Sequence, residues 1–251
     1  MRMTGNTILV TGGTSGIGLG LADAFAARGN TVIVTGRTRE QLDALAASHP
    51  ALLGRLLDVS DPASLRALTE EALTQFPALD MVIANAGISG REDLAGDDWN
   101  LSFAEAMIRT NVMGVLATAA AFLPHLRRRP AATLMVTGSK LAYLPNAAFP
   151  TYCGTKAFLH SWLQSLRHQL RNTSVKVLEL LPPYVATKIT GKAQLIDPRA
   201  MPLDAFITEI MALLESGEHE GGEVLVERAR VDRYAERQGR YAEAFAMTNP
   251  D

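Results

Sequence analysis

The chain is 251 residues long, which accommodates one large α/β domain or two small ones. Apolar residues make up 47 %, enough for a sizeable core, while a net charge of −2 gives no electrostatic reason to expect a nucleic-acid partner. The single cysteine, Cys153, excludes an intramolecular disulfide and reads as a packing residue, because no activating His or Asp stands beside it in the sequence.

In chain order, a strand over 7–11 and a helix over 17–28 come first. Strand 31–35, helix 39–48, strand 51–57 and helix 62–75 follow. Strand 80–84 precedes a long helical pattern over 103–128, and strand 133–138 precedes a helix over 152–171. Strands over 175–181 and 223–226 close the series. Met81, Val82 and Ile83 are apolar at consecutive positions, as in a strand buried on both faces of a parallel sheet. Phe158, Leu159, Trp162, Leu163, Leu166 and Leu170 form one apolar stripe at helical spacing. The alternation predicts right-handed βαβ crossovers and an α/β fold with a doubly wound parallel sheet of Rossmann type, in a single domain over 1–251.

Residues 187–217 are longer than a simple crossover needs, contain Pro198 and Pro202, and are expected to form a short substrate lid. The tail over 228–251 is charged but carries Val231, Tyr234, Tyr241 and Phe245, which predicts a surface helix or a subunit contact. Arg127, Arg128 and Arg129 read as a cationic helix C-terminus that complements the helix dipole. The N-terminus enters a strand pattern without the apolar stretch and cleavage site of a secretory signal. The longest uncharged stretch, 112–124, is too short to span a bilayer. A cytoplasmic protein with no membrane partner and no metal is the expectation.

The first strand runs into Gly12, Gly13, Thr14, Ser15, Gly16, Ile17 and Gly18. Glycines there permit a tight turn and aim the N–H groups of the next helix at a phosphate; a plain turn is the alternative. The second strand ends Val34, Thr35, Gly36, Arg37, with no carboxylate until Glu40. A carboxylate at that place bonds ribose hydroxyls and repels a 2′-phosphate, whereas an arginine binds the phosphate, so NADP(H) is favoured over NAD(H) unless Arg37 is merely solvated. Tyr152 and Lys156 are four residues apart, so on a helix they share a face. An ammonium beside a phenol lowers its pKa and prepares it for proton transfer, although chance supplies such pairs in many helices.

Taken together, these motifs resemble the short-chain dehydrogenase/reductase family. The resemblance runs from Thr7 to about Thr187 and rests on Thr11-Gly12-x-x-x-Gly16-x-Gly18, Asn85-Ala86-Gly87, Asn111, Ser139 and Tyr152-x-x-x-Lys156. It implies that Asp58 bonds the adenine amino group and that Val59 contacts the ring by its backbone. It implies that Asn85, Ala86 and Gly87 line the cofactor, and that Ser139 bonds the substrate oxygen. Asn111, a poor residue for a helix interior, would perturb its helix and hold a water linking Lys156 to solvent. By residue type alone, Asp58, Asn85, Gly87 and Ser139 are also ordinary turn residues, and Asn111 a tolerated amide. Pro182, Val185 and Thr187 match a segment that lies near the nicotinamide carboxamide. Pro183 follows Pro182 where many members have glycine, and the stretch Glu179-Leu-Leu-Pro-Pro-Tyr-Val-Ala-Thr187 resembles a bacterial DltE-like branch.

The implied activity is an NADP(H)-dependent oxidoreductase that interconverts a carbonyl and an alcohol by hydride transfer, with Tyr152 as general acid and base. A non-catalytic NADP(H)-binding sensor or scaffold, or an epimerase or lyase on the same fold, are the alternatives. The implied partner is a small-molecule substrate, facing a partly apolar pocket built from Leu141, Tyr143, Leu144, Phe149, Tyr184, Ile189 and Leu195. Arg91 and Glu92 either meet a polar substrate or belong to a solvated loop. A homodimer or homotetramer packed through the 103–128 and 152–171 helices is implied as well.

Overall fold

The structure, a computed structural model, describes residues 2–250. Short apolar runs form the strands β1 (Thr7–Val10), β2 (Thr31–Gly36), β3 (Leu52–Leu56), β4 (Met81–Ala84), β5 (Ala132–Thr137), β6 (Val175–Leu180) and β7 (Glu223–Val224). The helices are α1 (Gly16–Ala26), α2 (Arg39–Ser48), α3 (Pro62–Gln75), α4 (Leu101–Ile108), α5 (Gly114–Leu126), α6 (Pro150–Leu170), α7 (Leu203–Ser216), α8 (Glu227–Arg233) and α9 (Tyr241–Thr248). All strands pair in parallel, in the order β3-β2-β1-β4-β5-β6-β7, with Ile8 opposite both Val32 and Met81.

Successive strand residues serve opposite faces of the sheet. Ile8 and Val10 join a core with Phe25 of α1, Leu45 of α2 and Phe206 of α7. Leu9 joins the other core with Leu68 of α3, Phe122 of α5 and Leu163 of α6. The sheet is therefore covered on both sides, as the runs of consecutive apolar residues require. Strand order reverses between β1 and β4, which opens a crevice at the C-terminal ends of these strands, where such sheets bind ligands.

Three expectations change in detail. The helical pattern over 103–128 is two α-helices, α4 and α5, joined by a π-helical turn over Arg109–Met113. Apolar periodicity runs through all three parts; only the hydrogen-bond register shifts. The run Leu101–Leu126 is long and apolar enough to cross a bilayer. Its Met107, Val115, Ala119 and Phe122 are buried in the protein. The stretch expected as a lid over 187–217 divides. Its second half is α7, whose Phe206, Ile210 and Leu214 are fully buried, so it is the crossover helix between β6 and β7. The part before α7, with a short 3₁₀ turn at Lys192–Ile196, lies outside the helical layers and is pinned to the core by the buried Met201. Lastly, β7 is two residues long, not four.

The tail folds back as α8 and α9. Arg233 grips Glu223 through two bonds of 2.7 and 2.8 Å. Lys140 pairs with Asp232 at 2.6 Å, and the Asn249 amide donates to the Pro145 carbonyl at 3.1 Å.

Candidate active site

The N-terminal turn of α6 carries the tyrosine. Pro150 opens the helix, where its missing N–H is harmless. The cap comes from another segment: Glu92, in the loop after β4, accepts from the Thr151 amide at 3.0 Å and the Thr151 hydroxyl at 2.9 Å. Tyr152 follows directly, and Lys156 lies one turn further along the same face. The Lys156 ammonium is 5.5 Å from the centre of the Tyr152 ring and donates to the Thr137 carbonyl at 2.7 Å, at the end of β5. Two residues on, the buried Ser139 takes an extended conformation and caps a 3₁₀ turn, its hydroxyl oxygen accepting from the Leu141 amide at 3.1 Å.

Burial governs the charge states here. It pushes the Tyr152 phenol up to about 12, with the Ser139 hydroxyl acting in the opposite direction. The same burial draws Lys156 down to about 8, against the pull of the Glu179 carboxylate. The expectation that Lys156 sets a lowered phenol pKa is corrected: desolvation is the largest influence and raises it, the opposing pull comes from Ser139, and Tyr152 is a protonated phenol at neutral pH.

Asn111 is fully buried within the π-helical turn. Its side chain bonds both the amide and the carbonyl of Ile88 at 2.9 Å and donates to the Thr155 hydroxyl at 3.2 Å. It thus ties the loop after β4 to α6, between Tyr152 and Lys156. This is structural work that the sequence reading did not foresee.

The glycine turn sits at the crevice. Gly12 and Gly16 have φ of +63° and +56°, a region that favours glycine. A Cβ on Gly12 would come 2.9 Å from the Ala86 Cα, and one on Gly18 would collide with the Asn85 amide. Thr14 packs on Gly36 and Ile17 on the core, while Ser15 begins α1 without capping it. The first amides of α1 therefore have no side-chain acceptor, the state required for binding phosphate oxygens. Thr11, which opens the glycine motif, and Thr35, at the end of β2, hold the turn. Thr11 accepts from the amides of Asn85 and Ala86 at 3.0 and 3.1 Å, and Thr35 accepts from the Gly12 amide at 3.2 Å. The Asn85 amide group in turn bonds the Thr11 and Gly12 carbonyls and accepts from Thr137. Gly87 lies against Asn111.

Arg37 is exposed just beyond β2, close enough to Asp58 to help lower that carboxyl's pKa, although the Ser60 hydroxyl is the larger cause. One oxygen of Asp58 is occupied by the Ser60 amide and hydroxyl at 2.9 and 2.6 Å. Val59 is buried against Gly114. The Pro182 carbonyl accepts from the Lys140 amide at 3.0 Å. Val185 is buried, and Thr187 stands over Gly16, 3.4 Å from where its Cβ would be. Gln194, which no sequence motif marks, holds this segment through the Val185 carbonyl at 2.7 Å and the Thr187 hydroxyl at 3.3 Å. The turn, the free helix amides and the two loops over them fit a dinucleotide.

Comparison with known proteins agrees with this geometry. A family model described as short chain dehydrogenase matches residues 6–195. An uncharacterised oxidoreductase, DltE of Bacillus subtilis, is 37 % identical over 223 residues, 88 % of each chain. An alcohol dehydrogenase from Thermococcus sibiricus, solved with 5-hydroxy-NADP, superposes with a TM-score of 0.75 at 25 % identity, covering 84 % of this chain and 90 % of that one. A short-chain dehydrogenase/reductase from Burkholderia phymatum, solved with NAD, shares the fold with a TM-score of 0.69 at 24 % identity, over 96 % and 89 % of the two chains. With the sheet, the glycine turn and the Ser139–Tyr152–Lys156 cluster in place, the chain belongs to the short-chain dehydrogenase/reductase family, in its DltE-like branch.

Proposed function

We infer that the protein is an NADP(H)-dependent oxidoreductase that interconverts a carbonyl and an alcohol. The observation that carries this reading is a half-buried, protonated Tyr152 phenol that shares its site with the buried Ser139 and with the buried Lys156 one helical turn away. Bound nicotinamide supplies or accepts hydride. Ser139 offers its hydroxyl to the substrate oxygen and orients it. Tyr152 gives its proton to that oxygen in reduction and takes it back in oxidation. Lys156 compensates the phenolate left behind. A phenol that is neutral at pH 7 is ready for the reductive direction. Asn111 locks the loop and helix that frame these groups, and the family relay assigns it the water that returns protons to Lys156.

Arg37, beyond β2 where no carboxylate stands, supports a preference for the 2′-phosphate of NADP(H). The segment before α7, with exposed Ile189, Leu195 and Ile196, supports an apolar lid over a small-molecule substrate. Exposed Phe103, Ile108, Met113 and Phe158 on the α4–α5 and α6 layer support a homodimer or homotetramer. The test is a panel of aldehydes, ketones, sugars and alcohols, followed by cofactor absorbance with both NADP and NAD forms. With the best substrate, Tyr152→Phe is expected to lose about 10²- to 10⁴-fold in turnover while still binding cofactor. Near-normal turnover in that variant would sink the assignment.

A further inference from the structure

Glu179 stands next to last in β6 and is fully buried, whereas the strand's other charge, Lys176, is exposed. Across the sheet it faces Val136 of β5 and Glu223 of β7. An isolated carboxylate in such a place is strongly unfavourable, so its partners define its role. Its Oε2 lies 2.8 Å from His160 Nδ1 and 3.4 Å from Arg167 Nη2. Its Oε1 has no hydrogen-bond partner among the described residues. That oxygen rests against Gly138, where a Cβ would come within 2.7 Å of it.

Gly138 lies between Thr137, whose carbonyl receives the Lys156 ammonium, and Ser139. The unpaired oxygen is therefore lodged against the peptide segment that joins the lysine to the serine. Along α6, Tyr152, Lys156, His160 and Gln164 recur at four-residue intervals and so share one face. His160 reaches Glu179 on one side and Gln164 Nε2, at 2.9 Å, on the other. The Tyr143 hydroxyl also approaches His160 Nδ1 at 2.7 Å, and Arg233 stacks on the Tyr143 ring while pairing with Glu223. Arg233 thus answers Glu223, and Arg167 is shared with Glu179. Lys156 is buried with the neutral Thr137 carbonyl as its acceptor, and Glu179 is the carboxylate whose charge opposes its desolvation.

We propose that Glu179 is a positioning residue for the reaction: a buried counter-charge, fixed by His160 and Arg167, that keeps Lys156 an ammonium beside Tyr152. The proposal rests on the assignment of Lys156 to the chemistry, but its test does not need turnover. Protein carrying ¹³C-labelled lysine is titrated by NMR, with the Lys156 signal identified by its loss in Lys156→Met. In Glu179→Gln, which keeps the shape and removes the charge, the Lys156 midpoint falls by roughly half a pH unit or more. Glu179→Asp keeps the charge and restores most of that fall, whereas Glu223→Gln leaves Lys156 in place. An unmoved midpoint in Glu179→Gln, or equal shifts in the Asp and Gln variants, overturns the proposal. Should Glu179→Gln not fold, Glu179→Met, which fills a similar volume without a charge or a polar atom to satisfy, takes its place: the midpoint falls in the same way, and an unmoved midpoint overturns the proposal. On a confirmed substrate, Glu179→Gln lowers kcat and leaves the cofactor KM unchanged. A Lys156 midpoint that moves as described, in a protein without turnover on any carbonyl, upholds the counter-charge and defeats the enzymatic reading instead.

Discussion

A free phenol titrates near 10 and a free lysine near 10.5, and the same low-dielectric surroundings drive Tyr152 and Lys156 in opposite directions. Each group is pushed toward its neutral form. For Lys156 this has a consequence for stability. Below about pH 8 the lysine is charged both folded and unfolded, and the fold bears the desolvation. Above it, the folded protein releases the proton while the unfolded chain keeps it up to about 10.5, so stability rises with pH across that window. At about 1.4 kcal/mol per pH unit, the gain is on the order of 3 kcal/mol. Urea unfolding at pH 7 and pH 10 checks this, because the rise is absent in Lys156→Met and the difference between the proteins cancels other groups. Equal pH slopes in both proteins would contradict the buried-lysine account. Arg37 acts on binding instead. Arg37→Ala is expected to weaken NADPH binding about 10- to 100-fold by calorimetry, the range of a lost charge-assisted bond, and to leave NADH nearly unchanged. Tyr152 and Lys156 are legible in the sequence by residue type and spacing, whereas Ser139 and Asn111 are marked only by the family resemblance, being by type alone a turn serine and a tolerated amide. Glu179 belongs only to the stretch that resembles the DltE-like branch, which implies no role for it. A lone Glu between Leu178 and Leu180 in a strand buried on both faces was the available signal, since such a strand tolerates a charge only beside another.

Secondary-structure elements were read from apolar spacing, which reports faces and not hydrogen-bond register. The strands follow from it, since consecutive apolar residues are what a doubly covered sheet requires. The π-helical turn at Arg109–Met113 was invisible to it, and the poor helix residue Asn111 was its only trace. Helix α7 was passed over because Pro198 and Pro202 stand before it, yet Phe206, Ile210 and Leu214 repeat every fourth residue. Glu92 was read as either a substrate contact or part of a solvated loop, whereas it caps α6 from a distant segment. No local pattern encodes a cap donated across 59 residues. Its effect belongs to the helix: Glu92→Ala frees the Thr151 amide, loosens the turn that carries Tyr152, and is expected to destabilise the protein by about 1 kcal/mol, the usual size of a lost cap. Thermal unfolding reads the loss, and kcat on a confirmed substrate falls with it. Glu92→Gln, which still accepts a hydrogen bond, recovers part of both. An Ala variant with unchanged melting and kcat would show that the cap holds nothing that matters.

At the scale of the whole molecule, the two helical layers differ in what they leave outside. The layer with α1, α2 and α7 turns mainly charged and small residues outward. The α4–α5 and α6 layer exposes Phe103, Ile108, Met113 and Phe158, each more than two-fifths accessible. Apolar side chains gathered on one layer mark a contact surface more often than scattered ones do. Sedimentation equilibrium is expected to give two or four times the chain mass of 27.0 kDa. The double variant Met113→Glu with Phe158→Glu separates the two explanations of that surface. On a free monomer, two exposed substitutions change stability by less than about 1 kcal/mol in total and leave the mass alone. Inside an interface they bury two unpaired carboxylates, so the mass drops by half or more at micromolar protein. A wild-type mass of 27.0 kDa rules out the assembly directly. Because α6 also carries Tyr152 and Lys156, dissociation that lowers turnover would show the contact bracing the catalytic helix as well as covering it.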